Sequence, residues 1–273
     1  MSFRIFVAVA GLSLAGAGCA LAPAGNDPAL KQAIANPART PAFAARDAAR
    51  KPYEVLHFFE VRPQATVVEI SPGGGYWTEI LAPYLKTQGT YYAAQYPQDG
   101  GGIAHRQEYY RNFRAKLDAN PALYDRVRVT AFGNGHYDVA PPGTADVVLT
   151  FRNLHNWMSD GYAEAALAAF YRALKPGGIL GIEEHRGRTD KPQDPRAADG
   201  YVRQDYAIRL AQQAGFVFVG GSEALANPRD TKDHPEGVWT LPPTYRLGDK
   251  DRARYAAIGE ADGFLLKFRK PTP

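Results

Sequence analysis

The chain has 273 residues, 45% apolar and 22% charged, enough to bury one sizeable core with appendages. Its formal charge of +4 is mild and its Lys and Arg residues are scattered, which gives no basis for nucleic-acid binding. A single cysteine leaves no partner for an internal disulfide.

Met1–Ala22 carries one charge, Arg4, then an apolar run over Ile5–Ala17 and a series of small residues. That is the layout of a secretory signal, too short to be a spanning helix. Residues 1–22 are therefore expected to direct export to the periplasm or cell envelope. Leu14-Ala15-Gly16-Ala17-Gly18-Cys19 resembles a lipoprotein processing site, with Gly16 where Leu is usual. Acylation of Cys19, giving a membrane tether, and ordinary cleavage near Ala22 or Ala24 are both open. Residues 23–50, rich in Ala, Pro and Arg, read as a linker with short helices, and residues 51–273 as the domain proper.

Lys51-Pro52 begins a helix with Pro at its first position and an apolar face of Val55, Leu56 and Phe59. Ala65–Leu85 follows as strand, turn and helix. Val67, Val68 and Ile70 form an apolar run interrupted by Glu69, Ser71-Pro72-Gly73-Gly74-Gly75 breaks it, and Trp77, Ile80, Leu81, Tyr84 and Leu85 recur at helical spacing. Such a unit presents free N–H groups and a positive dipole end to a ligand. A tight structural turn is the plain alternative, but a carboxylate on a buried strand needs a partner. Thr90–Tyr96 is a second strand, Ile103–Leu117 a helix and Arg126–Phe132 a third strand before Gly133-Asn134-Gly135.

Asp146–Phe151 is a continuous apolar strand of the kind buried on both faces. It empties into Arg152-Asn153-Leu154-His155-Asn156-Trp157, where open α/β sheets bind ligands. Structural work there is the alternative, with Trp157 capping a helix and His155 bonding the backbone. Ser159 or Asp160 is expected to cap the next helix, whose face includes Ala163, Leu167 and Phe170. Leu174-Lys175-Pro176-Gly177-Gly178 ends it, and Ile179–Glu183 is the fifth strand. Glu183 and His185 share a face beyond Glu184, as base, metal ligands or polar rim. Tyr201–Ala214 is a helix, Phe216–Val219 a strand and Phe264–Phe268 the last strand; residues 221–262 form a lid-like insertion between them. The alternation predicts an α/β fold: a doubly wound, mostly parallel seven-stranded sheet.

The run Glu69, Ser71, Gly73, Gly75 resembles motif I of the class I S-adenosylmethionine-dependent methyltransferases, an acid followed by G-x-G-x-G, with Ser71 in place of the first glycine. Leu174–Gly178 before an apolar strand is a second resemblance. Together with the leader, Arg152–Trp157 and Val238–Pro243, these residues look like an exported bacterial branch of predicted methyltransferases. The resemblance implies a Rossmann-like sheet with an antiparallel last strand, a helical N-terminal extension and S-adenosyl-L-methionine as cofactor. It implies that Glu69, Ser71, Gly73 and Gly75 cradle the methionine moiety and that Gln95, where the family has an acid, reads the ribose. Asn134 would lie near the adenine, and Phe151 and Asn153 would flank the cofactor. The acceptor is expected to be a small molecule. If it arrives protonated, His155 is the first choice of base, then His185 and Glu184.

Three other readings compete. A nicotinamide dehydrogenase would need G-x-G-x-x-G, which fails at Thr78. A metal site from Asn153, His155, Glu183 and His185 lacks a tight ligand pair, so no metal is expected. A non-catalytic ligand-binding protein on the same scaffold is the third, motivated by Ser71, Gln95 and export from where the cofactor is made.

Overall fold

The structure, a computed structural model, describes residues 26–273; the expected signal segment and Cys19 lie outside the described residues. Its strands are β1 (Thr66–Ile70), β2 (Thr90–Gln95), β3 (Arg128–Ala131), β4 (Ala145–Phe151), β5 (Leu174–His185), β6 (Val217–Ser222) and β7 (Gly263–Arg269). They form one seven-stranded sheet in the order β3-β2-β1-β4-β5-β7-β6. Neighbours among β1 to β5 pair in parallel, while β7 runs antiparallel to both β5 and β6. This is the expected doubly wound sheet with its antiparallel last strand.

The helices are α1 (Pro28–Ile34), α2 (Pro41–Ala44), α3 (Asp47–Arg50), α4 (Pro52–Phe58), α5 (Thr78–Leu85), α6 (Ala104–Ala119), α7 (Pro121–Tyr124), α8 (Leu154–Asp160), α9 (Ala163–Ala173), α10 (Gln204–Gln213) and α11 (Arg252–Ile258). β1 shows why both faces are covered. Val68 and Ile70 pack with Leu167 and Phe170 of α9, whereas Val67 packs with Ile80 and Leu81 of α5. Each of these side chains is fully buried, a gain of roughly 1.5–3 kcal/mol apiece. Alternation along the strand sends Glu69 to the α5 side with Val67.

Two expectations need correction. Ser159 and Asp160 do not cap the long helix; they form the last turn of α8, which Gly161 ends at a φ of 77°. Lys175–Gly178 does not end the helix as a free turn. It loops out within β5, where Ala145 pairs with Leu174 but Val147 already pairs with Ile179. The 227–261 segment is ordered. It contains α11, a short turn at Gly237–Thr240 and an apolar cluster of Val238, Leu241, Tyr255 and Ala261 with Tyr201. Gly237 is required there: at φ 55° its backbone lies so close to Asp199 that a Cβ would stand 2.0 Å from the Asp199 carbonyl oxygen. The neighbouring Val238 N–H donates to that same oxygen at 2.9 Å.

Candidate functional site

Strand order reverses between β1 and β4, the place in such sheets where a crevice opens beyond the carboxyl ends. A cavity of about 550 Å³ lies there. Its wall includes Ser71 and Gly73 from the turn after β1, Asn153 and His155 after β4, His185 at the end of β5, and Trp239 from the 227–261 segment.

The turn is built to be approached. Gly73 has a φ of 58°, and a Cβ added to it would meet nothing within 4 Å, so its face is open. Ser71 also has a positive φ, 51°, a backbone conformation that favours glycine, the residue found here in the motif it resembles. Its buried hydroxyl has no partner among the described residues. Gly75 is different, because the Lys116 side chain packs 3.1 Å from where its Cβ would stand. Gln95 supports the turn from β2: its Nε2 donates to the Gly73 carbonyl at 3.1 Å and its Oε1 accepts from the Tyr96 N–H at 2.9 Å. Asn153 ties two strand ends together, its Nδ2 donating to the Ile70 and Phe151 carbonyls at 3.2 Å each.

Other expected residues stand apart from the cavity wall. Glu69 is fully buried on the α5 face, where Thr78 Oγ1 and the Tyr91 hydroxyl donate to its Oε2. Burial raises its pKa to about 7, against the opposing pull of those two hydrogen bonds. Asn134 is exposed in its turn and bonds Tyr137. Phe151 stacks on Trp77, ring centroids 4.1 Å apart. Trp157 is a core residue against Phe132 and Phe170.

His155 bonds a side chain rather than the backbone. Its Nδ1 lies 2.9 Å from Glu184 Oε1, and its own backbone N–H donates to Glu184 Oε2 at 3.1 Å. The His185 N–H donates to the same carboxylate at 2.8 Å. With Nδ1–H committed to Glu184, His155 Nε2 is the nitrogen left to accept a proton. The His185 ring lies 5.7 Å away, its Nδ1 buried without a partner among the described residues. Burial first, and then the charges of Arg152, His155 and Arg50, hold the His185 pKa well below its ordinary value.

Beside these imidazoles runs a chain of charges whose arginine members from α2–α3 carried no signal in the sequence. Arg46 bonds Glu260 at 2.7 and 3.0 Å, and Arg152 joins Glu260 to Glu183 at 2.5 and 2.6 Å. Buried Arg50 reaches Glu183 at 3.2 Å while lying over the Tyr76 and Trp77 rings. Arg46 sits in an Ala- and Pro-rich stretch that reads as linker, and only the packing brings it to the cavity wall with Arg152. The same pairing turns Glu183 toward guanidiniums, away from any metal-ligand role. Among the described residues no group of three or more His, Cys, Asp or Glu side chains could hold a metal ion. No helix among them is long and apolar enough to cross a membrane.

No family model matches the chain, and no curated protein matches it. Solved structures do match. A SAM-dependent methyltransferase from Aquifex aeolicus aligns over 90% of this chain and 100% of its own, at 16% identity and a TM-score of 0.56. The [4+2]-cyclase SpnF aligns over 89% and 92%, at 16% identity and 0.56. The 1,6-didemethyltoxoflavin-N1-methyltransferase of Burkholderia thailandensis, solved with its substrate and S-adenosylhomocysteine, aligns over 85% and 82%, at 17% identity and 0.50. At such identities the likeness establishes the fold: this chain is built on the Rossmann-like methyltransferase sheet, a scaffold that also carries a protein named for a cyclisation.

Proposed function

We propose that the protein is an S-adenosylmethionine-dependent methyltransferase acting on a small-molecule acceptor, and that it works outside the cytoplasm, in keeping with its leader-like first 22 residues. The observation that carries the reading is the open face of Gly73 beside the unpartnered Ser71 hydroxyl, at the mouth of the cavity over the switch point. The residues fit the cofactor at that turn: the bare backbone admits close approach, Ser71 can bond its polar end, and Tyr96 and Asn153 wall it in. Bound there, S-adenosylmethionine supplies an electrophilic methyl group on a sulfonium.

What the chain adds is position and proton transfer. Holding donor and acceptor in line is worth up to ~7–11 kcal/mol in favourable cases. His155 Nε2 accepts the acceptor's proton when one must leave, while Glu184 fixes the tautomer and stabilises the imidazolium formed. His185, lacking that carboxylate contact on its ring, is the weaker base.

One observation favours a binding protein without catalysis: the Gln95 amide, where the resemblance expects a ribose contact, is already engaged on both sides by Gly73 and Tyr96. Calorimetry with S-adenosylmethionine and S-adenosylhomocysteine separates the two readings. Micromolar binding is expected for the methyltransferase; no heat at millimolar ligand leaves only the scaffold.

A further inference from the structure

Among the described residues the cavity wall contains Arg46, Arg152 and Arg246 with His105, His155 and His185, and no carboxylate. For a site expected to receive a sulfonium this is a one-sided arrangement, since cations repel that positive centre. Within the buried chain of ion pairs, three guanidiniums (Arg46, Arg50, Arg152) bond two carboxylates, Glu183 and Glu260, and the next carboxyl felt by Arg50 is that of Glu69. Burial is the first cause that lowers Arg50, with Arg152 and Arg46 adding to it and Glu183 and Glu260 opposing it, whereas Arg152 is raised by the same two carboxylates; His185 is lowered by burial and then by the neighbouring cations.

Arg46 and Arg152 both bond the Glu260 carboxylate, so their guanidiniums are neighbours. Glu260 takes Nε and Nη2 of Arg46, and Arg152 spends Nε and Nη1 on Glu183 and Glu260; each retains one terminal nitrogen with no acceptor among the described residues. The buried His185 Nδ1, unpartnered on the same wall, is a further polar atom awaiting a ligand. Arg246 stacks 4.4 Å over Trp239, placing a cation and a flat apolar surface together on the opposite segment.

We propose that the acceptor is an organic monoanion whose carboxylate is held between Arg46 and Arg152, with its planar or apolar body against Trp239. The proposal rests on the methyltransferase reading for the word acceptor; the anion site itself stands independently. A carboxylate matches the guanidinium fork and adds negative charge where guanidiniums outnumber the carboxylates they bond. It also brings to the cavity the counter-charge that a sulfonium needs and the wall does not provide.

The test compares benzoate with benzamide, which share a ring and differ in charge, by calorimetry on the full chain. Benzoate is expected to bind at least tenfold more tightly, to weaken with added salt, and to bind equally well when S-adenosylhomocysteine is saturating. Arg46→Gln should lose tenfold or more and Arg46→Lys substantially less, the second variant guarding against a mere folding defect. Equal binding of the two probes, or no binding of benzoate or acetate, overturns the proposal. Competition between benzoate and S-adenosylhomocysteine also overturns it, because the cations would then serve the cofactor's own carboxylate. Binding of benzoate without any binding of S-adenosylhomocysteine sinks the methyltransferase reading and leaves the anion site standing.

Discussion

Glu69 is the residue at which charge and burial conflict most openly. Its carboxyl is pushed up to about 7, so the folded state binds a proton more tightly than the unfolded chain does. A raised carboxyl contributes stability at low pH that is lost as pH rises from about 4.5 through 7. Glu69→Gln removes that loss while keeping an oxygen for Thr78 and Tyr91. Urea unfolding should find the variant more stable than the parent at pH 8, on the order of 3 kcal/mol, with the gap closing toward pH 4. A gap independent of pH would show the carboxylate to be comfortably ionised. Glu184 makes the opposite case, since it serves three donors at once. Glu184→Ala leaves two backbone N–H groups and an imidazole unpaired, and a loss of about 3–5 kcal/mol in denaturant unfolding is expected.

At the scale of elements, α2 and α3 belong to the site although the sequence marks them as linker. They are fastened by Thr40 to Glu79, by Asp47 to the Tyr76 hydroxyl at 2.6 Å, and by Arg46 and Arg50 to the buried carboxylates. Arg50→Met should cost about 3–5 kcal/mol, because it strips a fully buried carboxylate of one partner. An unchanged urea midpoint would mean that Arg152 alone satisfies Glu183. Burial opposes ionisation of Glu260, yet Arg152 and Arg46 hold its pKa down at about 2. Being depressed, it contributes stability above the unfolded value of about 4.5 that drains away as pH falls toward 2. Glu260→Gln should therefore lessen the parent's acid sensitivity in that window, as measured by thermal unfolding between pH 2 and 6.

At the scale of the whole molecule, the sheet separates two apolar cores and leaves a third cluster under the cavity segment. The three tryptophans sample these regions: Trp157 in one core, Trp77 in the other, Trp239 at the cavity wall. Ligand binding should then change fluorescence through Trp239 alone. Trp239→Phe should abolish the change while calorimetry still reports binding, whereas a persisting change would place the ligand near one of the cores.

Much of the architecture was legible because strand burial writes itself as apolar runs. Asp146–Phe151 reads as a strand covered on both sides, Val67–Ile70 as a short apolar run, and the glycine turn after it as a break that neither strand nor helix continues through. The α8–α9 boundary was not, since Ser159 and Asp160 have the chemistry of a cap and only the left-handed Gly161 shows where the chain turns. The site divides in the same way. The open Gly73 turn, Asn153, His155 and His185 follow from where a parallel sheet ends its strands, a local and periodic property of the chain. Which way Glu69 points, what engages Gln95, and the arrival of Arg46 beside Arg152 were decided only by tertiary packing. Charges more than a hundred residues apart meet there for a reason no local pattern encodes: a buried carboxylate must find a partner from whatever element the fold places within reach.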